Sequence, residues 1–307
     1  MVAVVVAAAA WVADGCRSVA APEVTRIAVL TSHTASPYDQ ALAGVRQYFR
    51  QQNVEVAFDV YPLDGDRTKA ARIVQDAKRG RVSVLLTLGT LATQSALETG
   101  VDLPVVGGLI VSADDIAKGA NATGVSLEFP LDTQFQWIRK FLPAAQTVGV
   151  LYNPGENQRR ITAATLAAAR SGLRLDTQEV HAPRDIPLAL ESLGKRIDVL
   201  WTVVDSLILA PETAKDILLF SFRNRIPVVG LSPAWVKSGA LYALEWDHAE
   251  LGVQCGEMVL KVLQGARAGS IPVAAPRKVL YSLNQRIATH LKVDIPERLA
   301  REAREVF

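Results

Sequence analysis

The sequence predicts an α/β protein built as two doubly wound parallel-sheet lobes joined by hinge strands. Three observations carry that prediction. Short continuous apolar runs rich in Val, Ile and Leu alternate with stretches of helical periodicity, the pattern of parallel strands covered on both faces. The alternation completes two cycles that part near residues 122–130. No low-complexity linker separates the cycles, so short strand-like hinges are expected in place of a flexible tether.

The elements follow in order. RIAVLTS (26–32) is a short β-rich run, and a helical stretch follows over about 38–51. VEVAFDVYP (54–62) alternates as a strand and 67–79 reads as helix. VSVLLTLG (82–89) is a continuous apolar strand, with a helix starting near Leu91 and another strand in LPVVGGLI (103–110). ATGVSLE (122–128) reads as a connecting segment. The second cycle opens with helical FPLDTQFQWIRKFL and the strand TVGVLYNP (147–154). Helix 157–170, strand 173–180, helix 185–194, strand 197–205, helix 212–224 and strand 226–232 follow. ALYALEW (240–246) is a strand, 248–264 is a long helix, and PRKVLYSLN (276–284) with two short helices closes the chain.

The chain carries 33 Lys+Arg against 31 Asp+Glu and no basic stripe, so nucleic acid is not expected as a partner. Val2 to Ala13 is apolar throughout, too short for a membrane-spanning helix of roughly 20 residues. It is the right length for the apolar core of a secretory signal. Gly15 then precedes Cys16, the arrangement that presents a cysteine for lipidation after cleavage. The run lacks a basic residue ahead of it, and Ala13-Asp14 departs from the usual lipobox. Export with lipidation at Cys16 is the expectation, and residues 1–22 are assigned to leader and tether. A first buried strand is the competing reading. Two cysteines are too few for a disulfide framework, and Cys255 falls at helical spacing as a small buried residue.

In open parallel sheets ligands lie beyond the carboxyl ends of the strands. The loops there contain Ser32, His33 and Thr34, Gly89 and Thr90, Asn153 and Glu156, Asp205, Ser232, and Asp247. Gly89 lets the chain turn off its strand, and Thr90 is placed to cap the next helix, whose free N–H groups would suit an anion. Asn153 and Glu156 serve a ligand or ordinary Asn-Pro-Gly turn chemistry. Asp205 either pairs with a ligand amine or caps its own turn. Asp247 followed by Glu250 reads as a capping-box variant. Tyr38, Trp235 and Trp246 stand near strand ends, for stacking on a flat ligand or for packing. Trp201 reads as core. The histidines show no metal-ligand spacing, so no metal is expected. Neither a nucleophile elbow nor a cofactor fingerprint is present, so neither an enzyme nor a cofactor is expected.

NPGEN, APET (210–213), SFRNRIPVVGLS, VKSGALYAL, ELGVQCGEMVLKVLQG and LNQRIATHLKVDIPERLAREAREV, in this order and spacing, resemble the bacterial ABC-transporter substrate-binding proteins. That family includes proteins of the tryptophan- and tyrosine-binding type. The resemblance implies a type I periplasmic-binding fold with three hinge crossings. Asn153, Glu156, Asp205, Gly239, Asp247, Gly252 and Thr90 fall on its pattern. It also implies that helix 247–265 returns to the first lobe. The lobes would then comprise 23–126 plus 246–271, and 127–245 plus 272–307. Aromatic-amino-acid binders of the family carry a tyrosine beside the position of Asp247. Here His248 stands there, a departure that speaks against an aromatic ligand.

The expected function is therefore an extracytoplasmic, lipid-anchored, monomeric solute-binding component serving an ABC permease and its ATPase. A small polar, amino-acid-like solute would be captured between the lobes by hinge closure. Hydroxyls and amides of Ser32–Thr34 and Gly89–Thr90 would hold its anionic end, and Asp205 or Asp247 its cationic end. The alternatives are a periplasmic ligand sensor for a signalling receptor and, less favoured, an α/β enzyme.

Overall fold

The computed structural model describes residues 24–307; the leader and Cys16 lie outside the described residues. The first sheet is built from β1 (Thr25–Thr31), α1 (Ser36–Gln51), β2 (Val56–Pro62), α2 (Lys69–Arg79), β3 (Val84–Leu88), α3 (Thr90–Glu98), β4 (Val105–Ile110), α4 (Ala113–Ala117) and β5 (Ala122–Ser126). Its strands run parallel in the order β2-β1-β3-β4-β5. The apolar runs of β1, β3 and β4 are buried along their length because helices cover both faces. Residues 122–126 form the strand β5 and are not mere connection. Their small, weakly apolar run becomes a strand through pairing with β4 on one side and with Ala274 on the other.

The second lobe begins with α5 (Leu131–Phe141), β6 (Thr147–Tyr152), α6 (Pro154–Arg170), β7 (Arg174–Glu179), α7 (Ile186–Leu193) and β8 (Val199–Trp201). It continues with α8 (Ser206–Leu209), α9 (Pro211–Asn224), β9 (Val228–Gly230), α10 (Pro233–Ser238) and β10 (Tyr242–Trp246). After α11 (His248–Leu263), the chain adds β11 (Val279–Leu283), α12 (Gln285–Leu291), α13 (Glu297–Glu302) and β12 (Glu305–Val306). The seven-stranded sheet runs β12-β11-β10-β9-β8-β6-β7, with an antiparallel pairing between β10 and β11. Of the strand expected over 197–205, only β8 is laddered; residues 202–205 leave the sheet toward the site.

Helix α11 packs on α1, not on the sheet that precedes it. Leu251, Cys255 and Val259 are buried with Val45, Phe49 and Val29 in one core. Burial of apolar side chains this size contributes about 1.5–3 kcal/mol each. The two helices touch backbone to backbone. A Cβ on Gly252 would lie 1.9 Å from the Ala41 carbonyl oxygen, and one on Gly44 would lie 1.9 Å from that of Ala249. Only glycine fits at either position.

The sheets are joined by residues 127–130, by Asp247 and by residues 275–278. These crossings are bonded together. Trp246 Nε1 donates to the Leu127 carbonyl at 2.7 Å, Gln254 Nε2 donates to the Ala275 carbonyl at 3.1 Å, and Lys278 pairs with Asp247 at 2.6 Å. Arg277 bridges Glu250 and Glu257 of α11.

Candidate functional site

On the first lobe the strand-end loops are tied to each other. Gly89 is the N-cap of α3, with φ +98°, so the helix begins at Thr90. This corrects the expectation that Thr90 caps α3. The capping bond comes from the neighbouring strand end, where Ser32 Oγ accepts the Ala92 N–H at 3.0 Å. A Cβ at position 89 would sit 2.3 Å from that oxygen. Thr90 Oγ1 instead accepts the Val111 N–H at 3.1 Å, fixing the chain just beyond β4. Thr34 donates both its N–H and its hydroxyl to Asp64 Oδ1, at 3.0 and 2.9 Å. His33 is exposed and tilted against Tyr38, ring centroids 6.3 Å apart.

On the second lobe, Asn153 caps α6 by accepting the Gly155 N–H at 3.0 Å. Asp205 is only 1% exposed. Its Oδ2 accepts the Asn153 N–H at 2.7 Å and Asn157 Nδ2 at 2.9 Å, and its Oδ1 accepts the Leu207 N–H at 2.9 Å. The carboxylate therefore stitches the NPGEN loop to the end of β8, the capping role left open above. Glu156 accepts the hydroxyl and the N–H of Ser206, and these bonds hold its carboxyl below the usual range. Asp247 caps α11 by accepting the Glu250 N–H at 3.1 Å. Burial opposes its ionisation, but the bonds from Lys278 and the helix amides and the Lys278 charge outweigh that and lower its pKa. The Glu250 side chain does not return to the cap; it pairs with Arg277. Ser232 is the N-cap residue of α10 and makes no side-chain capping bond.

At the strand ends of the second sheet lies a cavity of about 740 Å³. Its floor is the carboxyl end of the second sheet, with Trp201, Val203, Val229, Tyr242 and Leu244. Phe129 of the first crossing and Trp246, the last residue of β10, stack at 5.8 Å and 4° to form one wall. Glu128, Glu156, Arg159 and Arg160 line its polar part. The first lobe contributes Val111 and Asp114. Most interior polar groups are matched inside the protein: Trp201 Nε1 donates to Gln134 at 3.1 Å and Thr202 donates to the Val229 carbonyl at 2.5 Å. Arg160 donates from one terminal nitrogen to Glu128 at 3.1 Å.

Of the residues expected at the site, Glu156 lines this cavity. Asn153 and Asp205 lie directly behind it as its bracing, and Asp247 follows Trp246 at the crossing. Ser232 follows the lining residue Leu231. Ser32, His33, Thr34, Gly89 and Thr90 are not among its lining residues, although Thr90 holds Val111, which is. His248 is not among its lining residues either. Sequence reasoning missed Val111, Asp114, Phe129, Arg160 and Tyr242. Arg160 carried a signal, standing one helical turn after Glu156; Tyr242 read only as a strand residue.

A family model described as ABC transporter substrate binding protein matches residues 25–307. A tyrosine-binding protein of Clostridioides difficile (strain R20291) is 27% identical over 248 residues, covering 76% of this chain and 69% of that protein. The ligand-free, open structure of a substrate-binding protein with adhesive properties from Clostridium difficile superposes with TM-score 0.76 at 20% identity, covering 92% of this chain and 99% of the other. An ABC domain from Streptococcus pneumoniae in complex with L-Trp superposes with TM-score 0.58 at 23% identity, covering 93% of this chain and all of the other, 100%. The fold is type I periplasmic-binding-protein-like.

Proposed function

The chain belongs to the ABC transporter substrate-binding protein family, and from that premise we propose how it takes its solute. It is the substrate-binding component of an ABC transporter and not an enzyme. The solute is an amino acid with a large, flat, apolar side chain, held between the lobes. The side chain enters the cavity above Trp201 and Leu244 and lies against the Phe129–Trp246 wall. The amino-acid head stays at the polar part, near Arg160 and Glu156, and meets the first lobe around Val111 and Asp114.

The observation that carries this reading is the apolar, aromatic cavity at the strand ends of one lobe, open toward the other. A hydrophobic pocket with few placed polar groups is the usual form of a small-molecule site. The relatives named for tyrosine and L-Trp fit the same chemistry. Val111 is 58% exposed and Val204, on the opposite lobe, is 64% exposed; both line the cavity. Closure around a solute would bury both, so the solute shifts the population toward the closed state. The closed state is the one offered to the permease and its ATPase. The protein works as an extracytoplasmic monomer anchored through Cys16, which lies outside the described residues.

Melting curves and calorimetry against the twenty amino acids test the reading. Aromatic and large apolar amino acids should raise Tm, by the equivalent of about 2.7 kcal/mol at a concentration a hundred times Kd. Acidic and basic ones should not. A response confined to sugars or to charged amino acids would overturn it. For the anchor, Cys16→Ala should move the protein from the membrane fraction to the soluble one; unchanged partition would refute lipidation.

A further inference from the structure

Three buried side-chain atoms among the described residues have no hydrogen-bond partner: Ser95 Oγ, Arg160 Nε and the Tyr242 hydroxyl. Two of the three belong to residues that line the same cavity. An unpaired buried hydroxyl destabilises a fold, and native proteins rarely keep one without reason. Phenylalanine at position 242 would preserve the packing and remove the penalty. The neighbours make the contrast plain. Tyr281, which packs in the same core, donates its hydroxyl to the Leu299 carbonyl at 2.8 Å. The indole nitrogens of Trp201 and Trp246 are likewise partnered.

Tyr242 is 0% exposed and its ring stacks on Phe141 with centroids 4.0 Å apart and planes at 15°. That contact holds the ring of this cavity-lining residue in one orientation. Burial pushes its ionisation far above the ordinary phenol range, so it stays a neutral donor and acceptor at any physiological pH. A neutral hydroxyl suits an uncharged polar atom on a ligand. Arg160, permanently charged, suits an anionic one.

We propose that Tyr242 is a specificity-determining residue: its hydroxyl hydrogen-bonds the polar tip of the bound side chain, while Arg160 Nε holds the carboxylate. The proposal rests on the cleft reading given above and adds to it a selection among flat side chains. A ring bearing an O–H or N–H is favoured over a plain hydrocarbon ring. Sites that hydrogen-bond a ligand group reject the analogue lacking it, because the protein partner is then left buried and unpaired.

Calorimetry with L-tyrosine, L-tryptophan and L-phenylalanine on the wild type, Tyr242→Phe and Arg160→Gln tests this, with Tm confirming that each variant folds. The wild type should prefer at least one of the two polar-tipped ligands over phenylalanine by about tenfold or more. Tyr242→Phe should bring that ratio to within about twofold by weakening the polar-tipped ligands, leaving phenylalanine unchanged. Arg160→Gln should weaken all three alike, by about tenfold or more. A Tyr242→Phe protein that keeps the wild-type ratio overturns the proposal while the cleft reading stands. Unchanged affinity in Arg160→Gln overturns the carboxylate assignment. Wild-type protein that binds none of the three overturns the aromatic-solute reading, and this proposal with it.

Discussion

In the first lobe the polar groups at the strand ends bind one another: Ser32 to Ala92, Thr90 to Val111, Thr34 to Asp64. In the second lobe the same positions on the same architecture brace an aromatic basin, with Asp205 and Glu156 knitting the loops behind it. One lobe therefore presents a stiff, self-satisfied edge, while the other provides a concave apolar floor with two unmatched polar atoms. Two lobes of one design need not share a binding site equally. In the reading proposed above, the second lobe receives the solute and the first closes over it.

That division can be broken most severely at the helix contact that completes the first lobe. Gly252→Val should destabilise the protein by about 3 kcal/mol, because its Cβ has only backbone to meet. Urea denaturation measures this, and a loss near zero would mean α11 is not integral to that lobe. On the second lobe, Asp205→Ala removes the acceptor of three hydrogen bonds and should cost about 2 kcal/mol in the same assay. It should also weaken solute binding by displacing Asn157 and the NPGEN loop; a variant of wild-type stability and affinity would contradict the bracing role. A smaller effect, about 1 kcal/mol, is expected from Thr90→Val, which frees the Val111 N–H. If the first lobe acts through that edge, affinity should drop a few-fold as well, and unchanged calorimetry would remove Val111 from the site.

The smallest expected effect is on pH. Burial, then the charge of Arg304, hold His248 below its ordinary value of 6.5, against the opposing pull of Asp247 and Glu245. The unfolded chain then binds the proton more readily than the folded one. The stability this represents is complete above about pH 6.5 and is lost as pH falls through the depressed folded value. Asp247 and Glu156, also depressed, lose theirs at more acidic pH. Tm followed from pH 7.5 to 5 should fall, and His248→Gln should flatten the slope near neutrality; an equal slope in both would exclude His248.

The architecture was legible because buried parallel strands declare themselves as runs such as VSVLLTLG, whatever their partners. ATGVS was not legible as a strand, since small residues become β only through the neighbours that pair with them. The site was legible in part. Asn153, Glu156, Asp205 and Asp247 were marked by strand-end position and capping chemistry, and each is indeed a cap or a loop brace. Whether a capping side chain also meets a solute is decided by what else donates to it, which spacing alone does not contain. Tyr242 and Phe129 were silent because an aromatic in an apolar run looks the same whether it faces core or cavity. Only the three-dimensional count of partners separates the two.

The late place of α11 in the chain couples the two ends of the molecule. The first sheet is encoded before residue 127, but the helix that seals one of its faces lies at 248–263. A chain ending before that helix would leave the leading sheet half-covered, its apolar face without the side chains that bury it. Chains truncated before residue 248 should be cut readily by protease, whereas the full chain should resist; equal resistance would show that the leading sheet folds alone.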